Sequence, residues 1–170
     1  IRDGSPYARV WNNVIGLASN AFTGLGNGVR SNGHGVVTYA AHGLIVSNLI
    51  AGNARDGILV SGATAVSNVI LGNRIGLTVS NTPRPNLLAG IEVVDAPYTQ
   101  IGQADDTNRN VIAGNGSDGV QLRGLGAQGS AVENNFIGCD ANGQVARTNA
   151  GSGVVLNGVT NVLVANNVIG

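Results

Sequence analysis

The side chains best suited to chemistry in this 170-residue chain are nine carboxylates and two histidines. Acid–base cleavage of a glycosidic bond needs two carboxyl groups held within several ångströms of each other. Asp105 and Asp106 are the only adjacent acids, and they stand in a polar stretch typical of a loop. Asp56 and Asp118 each precede a glycine, a position at which an aspartate commonly caps its own turn. The pattern therefore favours structural roles for these acids.

Metal binding is a second kind of chemistry that the residue types could support. The segment 114–119 is faintly similar to calcium-binding nonapeptide repeats, but those repeats need the motif about every nine residues. No cluster of cysteine and histidine suggests zinc, and Cys139 is the only cysteine, so no internal disulfide can form. We therefore predict no metal, no cofactor and a structural thiol at Cys139.

Composition narrows the class of protein. The formal net charge is zero and only 11% of residues are charged, whereas a nucleic-acid-binding domain would carry a basic stripe. No apolar run approaches about 18 residues, so no membrane span is predicted. Hydrophobic residues reach 43% but aromatic residues only 4%, which indicates a strand-forming core of Val, Ile, Leu and Ala. Four aromatic residues are too scattered along the chain to predict a platform for stacking sugars: Tyr7, Trp11, Tyr39 and Tyr98.

An internal repeat shows which elements would position any site. The hexapeptide Asn-x-Ile-x-Gly-Asn occurs at Asn48–Asn53, Asn68–Asn73 and Asn110–Asn115, and degenerate copies occur near residues 10–13, 130–135 and 162–167. Several spacings are near 20 residues or twice that, which suggests a repeating unit of roughly twenty residues. We predict that one apolar position of each copy forms a common core column: Val10, Ile50, Ile70, Ile112, Val132 and Val164.

A second block follows the first and begins with glycine. Its residues alternate with period two, and one face is apolar, which predicts a strand with one buried side. The first buried positions of the five copies are Val36, Ile58, Ile91, Val120 and Val154. The other face is mixed, and there Glu92 has Leu59 and Gln121 as its neighbours. The block therefore supplies no column of carboxylates for glycoside cleavage.

A third block, Asn-x-Ile-Gly, sets the larger period of the chain. It occurs at residues 13–16, 73–76, 135–138 and 167–170, and the first three copies precede long polar stretches at 17–33, 77–89 and 139–152. Elsewhere the chain turns within a few residues, so coils with short turns and coils with long loops alternate, with a period near 60 residues. This places the long loops on one side in every second coil, where we expect a functional surface.

A unit of this length cannot bury its apolar side alone, but stacked units can. We predict an all-β, single-stranded, right-handed parallel β-helix of about six coils over residues 1–170, with a rise of about 4.8 Å per coil. Leucine-rich repeats are the nearest alternative, but their Leu-x-x-Leu-x-Leu pattern is absent. Stacked coils predict one ladder of Asn48, Asn68 and Asn110, and a second of Asn53, Asn73, Asn115, Asn135 and Asn167.

Both ends of the chain lie within a repeat. An uncapped solenoid exposes unpaired strand edges. We therefore expect either that this domain is a fragment of a longer solenoid, which we prefer, or that copies associate end to end into a filament.

Two segments, 107–120 and 133–143, resemble the parallel β-helix repeats of large bacterial surface and secreted proteins. Cys139 stands where the second pattern of that family has threonine. The resemblance implies an extracellular or cell-surface location. Because the repeat accounts for nearly every residue and leaves no catalytic group of side chains over, we predict a non-catalytic structural or adhesive role, as in an adhesin, sheath or fibre, with a possible carbohydrate or cell-surface partner. The same coils also carry enzymes, so the alternatives are a carbohydrate-active enzyme, of the polysaccharide lyase or hydrolase type, and a glycan-binding module.

A second resemblance concerns His34. Residues 32–35 are similar to the Gly-His-Gly element of polygalacturonase-type hydrolases, in which an aspartate pair precedes the element and Arg-Ile-Lys follows it. Here Asp105 and Asp106 come after His34, and the chain contains no lysine. These departures argue against a hydrolase of that type, and we predict structural roles for His34 and His42.

Overall fold

The computed structural model describes residues 1–21, 23–28 and 33–170, in which the chain winds through six coils, each giving one strand to each of three parallel sheets. Sheet 1 contains β1 (Arg2–Asp3), β4 (Val36–Thr38), β7 (Ile58–Ser61), β10 (Ile91–Val94), β13 (Val120–Arg123) and β16 (Val154–Asn157). Sheet 2 contains β2 (Arg9–Trp11), β5 (Leu44–Val46), β8 (Val69–Leu71), β11 (Gln100–Ile101), β14 (Ala131–Glu133) and β17 (Leu163–Ala165). Sheet 3 contains β3 (Val14–Ile15), β6 (Leu49–Ile50), β9 (Arg74–Ile75), β12 (Val111–Ile112), β15 (Phe136–Ile137) and β18 (Val168–Ile169). The predicted parallel β-helix of about six coils is confirmed.

In the part of the chain that the structure describes, helical structure is limited to two short 3₁₀ turns, Asp106–Asn108 and Leu125–Ala127. Within the described residues, neither is long or apolar enough to cross a membrane. We call the turns between successive sheets corner 1 (sheets 1 and 2), corner 2 (sheets 2 and 3) and corner 3 (sheet 3 and sheet 1 of the next coil).

Branched side chains stack inside the coils as the alternating pattern predicted. In sheet 1, Ile91 pairs in register with Ile58 on one side and with Val120 on the other, and all three are fully buried. Ile50, Ile70, Ile112 and Val132 are also fully buried. Burial of each such side chain stabilises the fold by about 1.5–3 kcal/mol relative to exposure. The interior columns are therefore the main source of stability.

Two predicted core residues are less buried than their equivalents. Val154 is only half-buried, although it packs against the core, and the Val164 side chain is 40% exposed. Both lie in the sixth coil, on which a single neighbouring coil packs. The prediction of a buried Val164 is therefore wrong for this structure, because burial in a solenoid needs a coil on each side.

The single core column predicted from the hexapeptides is divided between two sheets. Ile50 and Ile112 lie in sheet 3, where both pair with Ile75. Val10, Ile70, Val132 and Val164 lie in sheet 2. The hexapeptide thus appears on different faces of different coils, because its alternating apolar residues suit any short strand followed by a tight turn. Sequence similarity alone cannot separate the two positions.

The coils are also longer than the predicted twenty residues. Successive asparagines at corner 2 are separated by 35, 25, 37, 25 and 32 residues. The shorter estimate arose from treating hexapeptides on two faces as equivalent. Two coils together span about sixty residues, which agrees with the predicted larger period.

The asparagines form two ladders, but not with the predicted members. The corner 2 ladder contains Asn13, Asn48, Asn73, Asn110, Asn135 and Asn167. The corner 3 ladder contains Asn27, Asn53, Asn86, Asn115 and Asn149. Asn68 belongs to neither, because it lies at corner 1, where its Nδ2 donates to the carbonyl oxygens of Ala40 and Ala65. The predicted grouping is therefore wrong, for the same reason as the core column.

Each corner 2 asparagine of the second to fifth coils bonds to the coils on both sides. The Nδ2 of Asn110 donates to Asn135 Oδ1 and to Ile70 O, both at 2.8 Å, and its Oδ1 accepts from the backbone N and the Nδ2 of Asn73. Asn110 is fully buried. The amide therefore satisfies buried backbone groups that the bend between two sheets leaves without strand partners.

Close stacking explains the glycine of the Asn-x-Ile-Gly block. Gly16, Gly76 and Gly138 have positive φ angles, and a Cβ placed on any of them would lie 2.1 Å from a carbonyl oxygen of the next coil. A side chain would therefore force two coils apart at the point where the chain leaves sheet 3.

Candidate functional site

The long loops alternate along one side of the solenoid, as predicted. They leave sheet 3 in the first, third and fifth coils, and an isolated antiparallel bridge closes each: Leu17 with Gly24, Leu77 with Pro83, and Cys139 with Ala146. The loop of the third coil folds back over the second coil, where Gly52 N donates to Arg84 O. The loop of the fifth coil folds back over the fourth coil in the same way, and there Gly114 N donates to Arg147 O. The loops of the third and fifth coils therefore pack on the short turns of the coils that precede them.

The loops are held by specific hydrogen bonds. In the fifth coil, Asp140 Oδ1 accepts from the backbone N of Asn142, Gln144 and Val145, and these bonds lower the pKa of the Asp140 carboxyl. Arg147 Nε donates to Asn81 O at 2.9 Å. This bond connects the loop of the fifth coil to the loop of the third coil. The loops of the third and fifth coils are thus held to each other by hydrogen bonds.

Cys139 is buried at the base of the fifth loop. Its Sγ lies 3.9 Å from Val168 O, and burial raises the pKa of its thiol. A thiol with a raised pKa is a poor nucleophile at neutral pH. These observations agree with the predicted structural role.

The acids on the outer surface are engaged by the protein itself. Glu92 lies between Leu59 and Gln121 in sheet 1, as predicted, and its Oε1 is 2.6 Å from Arg123 Nε. Asp95 Oδ1 accepts from Gly126 N. Within the described residues, no group of three or more His, Cys, Asp or Glu side chains could hold a metal ion.

The acidic doublet begins the first 3₁₀ turn. Asp105 Oδ1 accepts from Thr107 N at 3.0 Å, which caps that turn, and hydrogen bonds from Thr107 and Gln103 lower the pKa of the Asp105 carboxyl. The Asp106 side chain lies outside what the structure describes. The geometry around Asp105 supports the solvated-turn interpretation.

Asp56 and Asp118 cap turns, but in the neighbouring coil rather than their own. Asp56 Oδ1 accepts from Ala89 N at 2.9 Å, and Asp118 Oδ1 accepts from Ser152 N at 2.8 Å. The prediction that each aspartate caps its own turn is therefore wrong, although both side chains do cap turns. A coil stacked only one strand spacing away offers its amide groups as readily as the residue's own turn does.

A histidine–aspartate pair, which the sequence did not indicate, forms at corner 3. His34 Nδ1 lies 3.0 Å from Asp56 Oδ2, and both atoms are shielded from solvent, although the contact is poorly directed for a hydrogen bond. Burial, with a contribution from the charge of Glu92, raises the pKa of Asp56 to about 6. Burial lowers the pKa of His34. The pair meets because each residue immediately precedes the glycine that begins a sheet 1 strand.

The pair does not reproduce the site of the hydrolases that carry a Gly-His-Gly element. Asp105, which belongs to the only acidic doublet of the sequence, lies in the fourth coil instead. Asn32, the first residue of the predicted Asn-Gly-His-Gly element, lies outside the described residues. His42, the other histidine, stacks on Tyr7 instead.

An aromatic surface, which the sequence also did not predict, covers sheet 2 and corner 1 in the first two coils. The rings of Tyr7 and His42 stack with centroids 4.9 Å apart and an interplanar angle of 13°. Trp11 follows on the first strand of sheet 2, beside Val46 of the next coil. Tyr7 is 72% and Trp11 70% exposed. We name the surface formed by these residues and two neighbours the aromatic face: Tyr7, Arg9, Trp11, His42, Leu44 and Val46.

Two adjoining depressions run along the aromatic face. One, of about 200 Å³, is lined by Arg9, Trp11, Leu44 and Val46. The other, of about 300 Å³, adds Tyr7 and His42 and shares Arg9 and Leu44 with the first. Arg9 forms no hydrogen bond or ion pair with other residues that the structure describes. Rings and an available guanidinium therefore border one continuous shallow groove.

Comparison with protein-family models, with curated proteins and with solved structures gave no match. The geometry of the faces and loops is therefore the basis for a functional proposal.

Proposed function

We propose that this chain is a non-catalytic module of an extracellular or cell-surface protein that adheres to carbohydrate through its aromatic face. The observation that carries the proposal is the grouping of Tyr7, His42 and Trp11 around two adjoining depressions. Aromatic rings offer apolar faces on which the C–H faces of a sugar can stack. The sheet beneath them is rigid, so binding orders few side chains and costs little entropy.

Arg9 supplies the polar part of the proposed groove. Its guanidinium carries five N–H donors and lines both depressions, between the Tyr7–His42 stack and Trp11. Sugar-binding sites need directed donors beside apolar surface, because hydroxyl groups that lose water require new partners. The groove thus offers both kinds of contact to a polysaccharide that lies along the strands of the first two coils, across the solenoid axis.

The outer face of sheet 2 changes character further along the solenoid. In the fourth and fifth coils, Gln100 Nε2 donates to Glu133 Oε2 at 3.0 Å and to Gly102 O at 2.7 Å. These polar groups bind each other, whereas Trp11 and Tyr7 project into solvent. This difference supports the first two coils as the binding region.

A non-catalytic role is preferred because the acids on the outer faces are held in structural contacts. Glu92 is paired with Arg123, Asp95 caps the turn at Gly126, and Asp140 closes its own loop. A glycosidase needs two carboxyl groups facing one substrate, free to exchange protons with it. A carbohydrate-active enzyme remains the alternative, and end-to-end association of copies stays a prediction.

Titration of the protein with soluble neutral and acidic polysaccharides tests the proposal. Trp11 is the only tryptophan, so stacking of a sugar on it should change the intrinsic fluorescence of the protein. We expect Trp11→Ala and Tyr7→Ala to weaken binding about tenfold or more, measured by calorimetry. Tyr39→Ala is the matched control, because Tyr39 is an exposed tyrosine that follows a strand of sheet 1.

Two results would contradict the proposal. Binding that survives loss of both Trp11 and Tyr7 would rule out the aromatic face. Release of new reducing or unsaturated ends from any polysaccharide in the panel would show that the module is catalytic.

A further inference from the structure

A further cavity lies where the outer face of sheet 1 meets corner 1, across the fourth, fifth and sixth coils. It has a volume of about 360 Å³. Its side-chain lining comes from five residues: Val94, Asp95, Arg123, Leu125 and Asn157. Arg123 pairs in register with Val94 on one side and with Asn157 on the other, so three successive coils form the floor. We call this cavity the corner 1 cavity.

Asp95 supplies a hydrogen-bond acceptor to the corner 1 cavity. Its φ angle is +49°, at a position where the third, fifth and sixth coils have a glycine with positive φ. Its Oδ1 accepts from Gly126 N at 3.1 Å, and a Cβ added at Gly124 would collide with the carboxylate. Oδ2 has no hydrogen-bond partner among the described residues. One carboxylate oxygen is therefore fixed in place by the protein while the other remains available.

Arg123 and Asn157 supply donors to the same cavity. Arg123 Nε donates to Glu92 Oε1 at 2.6 Å, which positions the guanidinium on sheet 1 and balances its charge. Its two Nη atoms form no hydrogen bond with other described residues, and neither does the exposed side-chain amide of Asn157. A guanidinium only donates, whereas an amide both donates and accepts. The corner 1 cavity therefore offers donors and acceptors to one ligand.

The charge and the apolar lining of the cavity select the class of ligand. Because Glu92 balances Arg123, the carboxylate of Asp95 leaves this region with a negative charge, which opposes the binding of an anion. Leu125, which is 73% exposed, and Val94 add apolar surface beside the polar groups. An uncharged ligand with several hydroxyl groups and an apolar C–H face uses all of these contacts, since each hydroxyl both donates and accepts. A neutral sugar has this combination.

We propose that the corner 1 cavity binds one neutral sugar unit. The hydroxyl groups of the sugar donate to Asp95 Oδ2 and accept from Arg123 and Asn157, while its C–H face packs on Leu125. The volume is near the lower end of the range for small-molecule sites, about 300 Å³, which suits a single unit. Among the described residues that line the cavity only Asp95 is acidic, so the proposal concerns binding and not cleavage, which needs two carboxyl groups. The inference is independent of the aromatic face, which uses other residues in other coils.

NMR titration of the isotope-labelled whole chain with the methyl glycosides of glucose, galactose and mannose tests the proposal, with glucuronate and glycine as comparison ligands. We expect at least one glycoside to shift the side-chain amide signals of Asn157 and the backbone signals of Gly124 and Gly126. Glucuronate should bind at least about fivefold more weakly than that glycoside, because its carboxylate is repelled by Asp95. Absence of these shifts with all three glycosides would overturn the proposal. Equal or tighter binding of glucuronate or of glycine would also overturn it, because the cavity would then recognise charge and not a neutral sugar.

Variants locate the sugar within the chain. Asp95→Gly introduces the residue that three other coils have at this position, so it suits the backbone, and loss of the carboxylate should weaken glycoside binding about tenfold. Asn157→Ala should weaken binding about fivefold, measured on the Gly124 signal. Asn142→Ala is the matched control for the second variant, because Asn142 is an exposed asparagine in the loop of the fifth coil. Unchanged glycoside affinity in Asp95→Gly or in Asn157→Ala would overturn the proposal. Loss of the shifts in Trp11→Ala would overturn it as well, because the sugar would then bind at the aromatic face.

Discussion

The interior ladders and the outer faces of the same coils differ in how far one coil resembles the next. At corner 2 the same residue, asparagine, recurs in all six coils. On the outside of sheet 2, Arg9 pairs with Leu44, Leu44 with Val69, and Val69 with Gln100. Repetition is thus a requirement of stacking, and departures from repetition mark the surfaces that are free to acquire a function.

The physical reason lies in the environment of each group. A buried amide must satisfy donors and acceptors in the coils above and below, and only an identical amide in each coil continues the pattern. An outer side chain can form its hydrogen bonds with water instead, so its replacement lowers the free energy of unfolding only a little. Substitutions at the two kinds of position should therefore have effects of very different size.

The largest effect is expected from Asn110→Ala. The change removes four hydrogen bonds, so the backbone N and the Nδ2 of Asn73, the carbonyl oxygen of Ile70 and the Oδ1 of Asn135 each lose one partner. We expect the free energy of unfolding to fall by about 4 kcal/mol, measured by chemical denaturation. Asn161→Ala, at an exposed position at corner 1, is the comparison and should cost under about 1 kcal/mol. A similar loss of unfolding free energy in both variants would show that a ladder asparagine contributes no more to stability than an asparagine outside the ladders.

An intermediate effect is expected from Gly76→Ala. A methyl group there would lie 2.1 Å from Ala113 O, and the φ angle of +89° is unfavourable for alanine. We expect a loss of about 3 kcal/mol in the free energy of unfolding. Gly62→Ala is the matched control, because Gly62 has a φ of +97° with no atom within 4 Å of an added Cβ. It should cost about 1 kcal/mol, so a difference between the variants isolates the steric contact between coils.

The smallest of the three effects concerns the pH dependence of stability at His34 and Asp56. The pKa of Asp56 is about 6 in the folded chain, above its ordinary value of 3.8. A raised carboxyl pKa adds stability below pH 3.8 that is lost as the pH rises through 6. We expect the wild type to lose about 2 kcal/mol relative to Asp56→Asn between pH 4 and pH 7, by denaturation at each pH.

The control for this pH series is Asp118→Asn. It removes the carboxylate that caps the equivalent turn, at a position whose neighbours in the column are Ala89 and Ser152 rather than histidine. A stability difference for Asp56→Asn that did not change with pH would show that the pair does not titrate as inferred. The asparagine amide can still accept from Ala89 N, so the turn itself is retained.

Period and residue type were sufficient to predict the architecture. Alternation in the Gly-Ile-Leu-Val type of block predicted one buried face, and Ile58, Ile91 and Val120 are fully buried. The Asn-x-Ile-Gly block predicted the alternation of long and short coils, which the loops closed at Leu77 and Cys139 confirm. Both features are local, because a strand or turn needs only its own few residues to be recognised.

Membership of the ladders was not predictable, and neither were the surfaces. Asn53 and Asn73 both end a hexapeptide, yet Asn53 stacks with Asn86 and Asn73 with Asn110. Asn86 had no sequence signal except its place after a loop that ends in proline. His34 and Asp56, or Arg109 and Phe136, become neighbours only when coils of unequal length come into register.

The sequence by itself determined that this chain stacks short strands into a solenoid, because apolar alternation, glycine and asparagine act over a few residues. Only the tertiary structure decided which residues lie one coil apart, since neighbouring positions at corner 2 are separated by 25 to 37 residues along the chain. Hydrogen bonding between coils sets that register. The aromatic face and the pair at corner 3 both depend on it, so the chemistry of the surface appears only after the coils are stacked.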